Sequence, residues 1–211
     1  MLTVAQVFEL ADLMPDHLRA VVLLATFASL RWGEIAALRR MDVDADAGTV
    51  SVRQAQVELD TGELLIGPPK SRAGVRTVAL PRSILPALRE HLDKYTGPEQ
   101  TALVFTGKRG GNLRRANFRR ATRWGDAVAE IGAPGLHFHD LRHTGNMLAA
   151  DTGASLRDLM ERLGHDSVRA AMIYQHKSAG GNRAIANAID AEINNADQDG
   201  DGSTGALART G

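Results

Sequence analysis

A chain of 211 residues, 44% of them hydrophobic, is long enough for one domain with a proper core, or for one large domain and a small appendage. It contains no cysteine, which excludes a disulfide or thiolate–metal framework and suits a reducing compartment. Its 25 basic and 25 acidic side chains cancel, a balance that on its face argues against a nucleic-acid partner.

The N-terminal stretch MLTVAQVFELAD lacks the basic flank of a signal peptide. Thr3 followed by Gln6 is a capping-box pattern, and the apolar residues after it recur at helical spacing, so a first helix is expected over TVAQVFELADLM. Pro15 starts a second, strongly apolar helix running to about Leu30. Its most apolar part, AVVLLATFASL, is 11 residues long, against roughly 18 for a membrane span. The expectation is a soluble, cytoplasmic protein with no membrane partner.

A short helix follows around residues 34–38, and then the texture changes. GTVSVRQAQVEL, GELLIGPP and GVRTVAL alternate or carry β-branched residues, and DTG and KSRAG turns separate them. They predict a small antiparallel sheet of about three strands. After Pro81 the chain returns to helix over RSILPALREHLDKY and, beyond a short ALVF segment, over LRRANFRRATRWGDAVAEI. Four more helical stretches are expected near 139–151, 155–163, 167–177 and 181–194. The last residues, NADQDGDGSTGALARTG, are aperiodic and predict disorder. Their DQDGDG is like a calcium loop, but no glutamate stands at the twelfth position to close the coordination shell. The fold class predicted is mainly α with a small antiparallel β-sheet (α+β).

The zero net charge is an average over unequal parts. From Asp190 onward there are five acids and one base, so residues 1–189 carry 24 bases against 20 acids. Within them, KRGGNLRRANFRRATR (108–123) holds seven bases and no acid. Local field rather than net charge governs attraction to a polyanion, so this stretch reads either as a solvated helix face or as a nucleic-acid contact.

Chemistry concentrates in HFHDLRHTGNML (137–148). His-x-His can hold a metal when the segment is extended, but HDLRHTGNMLAADTG has helical spacing. On a helix His139, Arg142 and His143 share a face, with His137 in the loop before it. An arginine there would repel a cation and suits an anion. Other anion-holding groups stand at the edges of elements: Arg31 between two helices with Glu34 three residues on, Lys70 on a turn, His165 after a glycine stop, and Tyr174 on the helix after that.

In this order, RWGE, PPKSRAGVRTVAL, HDLRHT, LGHDS and MIYQH resemble the motifs of the tyrosine recombinases, the phage-type integrases, and in particular their C-terminal catalytic domain. The resemblance runs from the N-terminus to about residue 190. It implies that Arg31 and Arg142 grip the scissile phosphate, Lys70 is the general acid for the leaving 5′-oxygen, His139 transfers a proton, His165 hydrogen-bonds the phosphoryl group, and Tyr174 is the nucleophile. Glu34 would support Arg31. By their own placement, Arg72 and Arg76 beside the Lys70 turn, and Lys108, Arg109, Arg114, Arg115, Arg119 and Arg120 in the basic stretch, are candidate DNA contacts, with solvent-facing charge the other reading.

The implied function is site-specific recombination through a 3′-phosphotyrosine, without metal, ATP or other cofactor. FTGKRGG is not a Walker-type loop. The implied partners are double-stranded DNA, further copies in a tetrameric synapse, and accessory DNA-bending proteins. The expected domain runs over 1–194, with a flexible tail over 195–211 and the family's N-terminal core-binding domain absent. Two other readings stay open: a type IB topoisomerase-like relaxase, and a non-catalytic helix-turn-helix with LGHDS as its turn.

Overall fold

In a computed structural model the described residues are 1–164. The helices expected near 167–177 and 181–194, the tail, His165 and Tyr174 lie outside them. Three N-terminal helices, α1 (Val4–Asp12), α2 (Asp16–Phe27) and α3 (Trp32–Ala36), precede five short strands. These are β1 (Val43–Asp44), β2 (Thr49–Val52), β3 (Ala55–Glu58), β4 (Leu64–Gly67) and β5 (Arg76–Ala79). Five helices follow: α4 (Leu85–Tyr95), α5 (Arg115–Ala121), α6 (Trp124–Glu130), α7 (Phe138–Asp151) and α8 (Leu156–Leu163).

The Thr3 capping box forms as its spacing predicts: Gln6 N–H donates to Thr3 Oγ1 at 3.2 Å, and Thr3 N–H donates to Gln6 Oε1 at 3.0 Å. The second helix is the centre of the core. Its residues from Ala20 to Thr26 are all buried, because it packs against α1, α3, α4 and α7 at once. Burying each of its leucines stabilises the fold by about 1.5–3 kcal/mol. Against α7 the approach is so close that a Cβ at Gly145 would overlap the Thr26 carbonyl. Only glycine allows that crossing, and it lies one turn beyond Arg142.

Three expectations change. Helix α2 stops at Phe27 rather than near Leu30, because Ser29 takes a left-handed φ of 53° that turns the chain sharply into α3. The strand expected over GTVSVRQAQVEL is two strands in two sheets. β2 pairs antiparallel with β1 and β5, whereas β3 forms a separate hairpin with β4. The chain bends at Arg53 and Gln54, where Gln54 Nε2 donates to the Ala37 carbonyl at 2.7 Å and carries β3 off towards α3.

Likewise the long helix expected over LRRANFRRATRWGDAVAEI breaks at Arg123, with φ 46°, into α5 and α6. Phe118 and Trp124 would stand about 120° apart around a straight helix. Both are buried, so the break is what lets them share one core.

That shared core is a cluster of four rings. Trp32 lies 5.2 Å from Phe118 and 5.0 Å from Phe138, and Trp124 lies 5.7 Å and 5.8 Å from the same two. Pairs of this kind add about 0.5–1.5 kcal/mol each beyond their area. They lock the starts of α3 and α7 against α5 and α6. No helix among the described residues is long and apolar enough to cross a membrane.

Candidate active site

The turn at Ser29 delivers Arg31 to the N-cap of α3 in extended conformation. Glu34, three residues on, accepts the Arg31 backbone N–H at 2.8 Å and its Nη1 at 2.9 Å. The same carboxylate is gripped from its other side by Arg76, whose Nη1 and Nη2 donate to Oε1 and Oε2 at 3.1 and 3.0 Å. The Glu34 and Arg76 side chains are each only 3% exposed, whereas that of Arg31 is 39% exposed. Burial alone would raise the Glu34 pKa. The hydrogen bonds and charge of Arg76, with Arg31 behind them, outweigh burial and hold it below the ordinary carboxylate range.

Arg142 enters from α7 and is buried, 3% exposed. Its Nη1 donates to the Ser29 carbonyl and its Nη2 to the Leu163 carbonyl, the latter at 2.6 Å. The left-handed turn at Ser29 therefore aims both arginines: its carbonyl receives one, and its bend positions the other.

These guanidiniums meet at the C-terminal end of α8. Arg76 Nε donates to the Arg162 carbonyl at 2.9 Å, Arg142 to that of Leu163, and Arg31 Nη2 reaches that of Gly164 at 3.5 Å. Three successive carbonyls at a helix terminus thus face three arginines, where the helix dipole is negative. Gly164 closes the helix with φ 61°, and a Cβ there would press on the Ala73 carbonyl at 2.9 Å.

Beside Arg142 opens a cleft of about 430 Å³, lined also by His137, His139, Asp140, Arg115, Arg119, Trp32 and Trp124. The Arg115 guanidinium sits 5.8 Å from the centre of the Trp32 ring, a cation–π distance. The His139 ring meets that of His143 edge-on at 4.8 Å. Partial burial, then the charges of His143 and Arg142, hold the His139 pKa below its ordinary value, against an opposing pull from Asp140. Neutral imidazole at neutral pH can accept a proton. His137 is the N-cap of α7, and its backbone N–H donates to Asp140 at 2.7 Å. Among the described residues no group of three or more His, Cys, Asp or Glu could hold a metal ion.

The structure thus brings Arg31, Glu34, Arg142 and Arg76 together at the end of α8, and places His139 and Arg142 on one cleft. Lys70 stands exposed on the connection from β4 to β5 and does not line that cleft.

Two of the residues expected to touch DNA are held by partners within the protein. Arg76 is buried against Glu34, because β5 alternates and puts it in phase with buried Val78 and Leu80. Arg114 is half-buried, tied to Glu58 at 2.5 Å and to the Gly62 carbonyl at 2.8 Å on the β3–β4 hairpin. Arg72, Lys108, Arg109, Arg115, Arg119 and Arg120 are exposed.

The sequence matches the Phage integrase family over residues 1–180. It is 39% identical over 184 residues to a putative prophage phiRv2 integrase of Mycobacterium tuberculosis, a match covering 87% of this chain and 49% of that protein. It is 38% identical over 176 residues to the integrase of Mycobacterium phage D29, covering 81% and 46%. The chain spans about half the length of these relatives.

Among solved structures, the Tn1549 transposon integrase in complex with circular intermediate DNA superposes with a TM-score of 0.73 at 19% identity, covering 89% of this chain and 66% of that one. XerA recombinase gives 0.66 at 21% identity, covering 88% and 62%. These proteins share the mainly α fold with its small antiparallel sheets.

Proposed function

The chain belongs to the phage integrase family, and on that premise we propose that it carries the catalytic centre of a site-specific DNA recombinase. The observation that carries this reading is the meeting of Arg31 and Arg142 at the end of α8, beside the His139 cleft.

Phosphodiester cleavage puts extra negative charge on the non-bridging oxygens of a five-coordinate phosphorus. Two guanidiniums held in fixed planes suit those oxygens better than mobile ammonium groups do. Each preorganised donor of this kind contributes about 3 kcal/mol to lowering the barrier. Arg142 is already stripped of water and oriented by two carbonyls, so little reorganisation remains to be done during reaction.

In the proposed reaction Tyr174 Oη attacks the phosphorus, the bond to the 5′-oxygen breaks, and a 3′-phosphotyrosine forms. The phenol proton passes to a neighbouring base, for which neutral His139 is suited, and Lys70 supplies the proton taken up by the 5′-oxygen. Lys70 would reach inward from its exposed connection when DNA lies over the site. His165 would hydrogen-bond the phosphoryl group. One phosphodiester replaces another, so the strand is rejoined by reversal without ATP.

Duplex DNA is the proposed substrate. Exposed Arg72, Lys108, Arg109, Arg115, Arg119 and Arg120 are the proposed backbone contacts. A tetrameric synapse with accessory DNA-bending proteins is the proposed assembly.

The test is a nicked suicide duplex, from which the nucleophile's product cannot be religated. A covalent protein–DNA adduct is expected, and it should vanish with Tyr174→Phe. An adduct that persists in that variant, or none from the unaltered protein, would overturn the assignment.

A further inference from the structure

We infer that Arg76 is a positioning residue that sets the charge of the phosphate-holding cluster: it occupies one side of Glu34 and so keeps that carboxylate from neutralising Arg31. The inference rests on the proposed reading of Arg31 as a phosphate ligand.

The charge count carries it. Arg31, Glu34 and Arg76 together hold one positive charge in excess. The two charges buried deepest, on Glu34 and Arg76, pair bidentately at 3.0 and 3.1 Å. The excess therefore falls on Arg31, the one member with substantial exposure. Without Arg76 the carboxylate would face Arg31 alone, and the cluster would be neutral. An anion arriving at Arg31 would then compete with Glu34 for the same guanidinium.

Arg76 is also placed to hold the geometry. Its Nη1 donates to the Gly74 carbonyl at 3.0 Å and its Nε to that of Arg162 at 2.9 Å. One side chain thus ties the connection that carries Lys70 to α3 and to the end of α8. Arg162 lies in the same crowd: burial first, then the charge of Arg76, hold its pKa below the ordinary value.

Charge-setting and simple anchoring make different predictions for a double substitution. Arg76→Gln leaves Arg31 paired with Glu34 and a neutral cluster. Glu34→Gln combined with Arg76→Gln removes the buried ion pair as a unit and restores the excess charge to Arg31. Replacing a buried pair by neutral groups of similar volume need not destabilise the fold. Arg76→Lys keeps the charge but loses the bidentate grip.

The experiment titrates inorganic phosphate into the full 211-residue chain and follows the Arg31 Nε–Hε NMR signal. Phosphate should bind about tenfold more weakly to Arg76→Gln, with near-normal binding in the double variant and an intermediate value in Arg76→Lys. An unchanged affinity in Arg76→Gln, no recovery in the double variant, or no response of Arg31 to phosphate in the unaltered chain overturns the inference. Should Arg76→Gln not fold, the double variant decides: binding more than tenfold below the unaltered chain overturns the inference, and binding close to it supports it. The suicide-duplex trap then separates the two readings. If phosphate binding follows this order but no adduct forms, the charge-setting role stands and the recombinase reading falls. If adducts form but the order is absent, the reverse holds.

Discussion

Two groups of arginines in this chain do opposite things with the same side chain. Arg76 and Arg142 are buried at the end of α8, with their N–H groups donated to Glu34 and to backbone carbonyls. Arg115, Arg119 and Arg120 line α5, exposed. A guanidinium that has shed its water must be satisfied by the protein, and becomes rigid in the process. One that keeps its water attracts a polyanion over a Debye length but fixes nothing. The first group therefore suits fixing the charges and geometry of the site, and the second suits attracting a polyanion.

The sharpest way to break this contrast is to remove a buried guanidinium. Arg142→Ala should slow adduct formation on the suicide duplex at least about a hundredfold, measured at saturating DNA so that binding does not contribute. A loss below tenfold would place Arg142 with the α5 group.

Glu34→Ala should lower folding stability by about 3–5 kcal/mol in denaturant unfolding, because it strands the buried charge of Arg76. A pH dependence goes with it. The folded-state pKa of Glu34 is depressed, so its contribution is present above its unfolded value and is lost as pH falls through the folded one. Stability should therefore decline on acidification below the ordinary carboxylate range, and less steeply in the variant carrying glutamine at both 34 and 76.

A change that leaves every charge in place probes the packing that aims Arg142. Gly145→Ala should destabilise by about 1–3 kcal/mol, as overpacking does, by driving α7 away from the Thr26 carbonyl. Adduct formation should fall with it even where the variant is fully folded, since Arg142 rides on the same helix. The smallest effect belongs to α5. Arg119→Ala or Arg120→Ala should weaken DNA binding modestly and equally for all sequences, lowering the salt slope by about one unit each in titrations at several ionic strengths. A loss confined to one DNA sequence would mean base contact instead.

Much of the fold was legible in the sequence, and the reasons are local. The α1 capping box, the helical periodicity of α2, α7 and α8, and the glycine stop at Gly164 are written in neighbouring residues. The strand runs were recognisable too, but not their partners. Nothing near Arg53 and Gln54 announces that β2 and β3 join different sheets, because the bend is fixed by the distant Ala37 carbonyl. Ser29 and Arg123, the two non-glycine residues with positive φ among those described, were missed for the same reason. Each takes a strained conformation because the packing on either side requires it. Arg76 is different. Its alternation with Val78 and Leu80 within GVRTVAL signals that it faces inward, a signal the expected DNA contact passed over.

By itself the sequence determined which residue types stand at the edges of which elements, because helix caps, periodicity and turns act over a few positions. It thereby supplied the order of the arginine and histidine motifs and their likeness to one family. Only the tertiary structure decided which arginines lose their water. Burial depends on what the rest of the chain packs against a side chain, and here Arg76 from β5 and Arg142 from α7 are buried against the last carbonyls of α8, while Arg31 keeps part of its exposure.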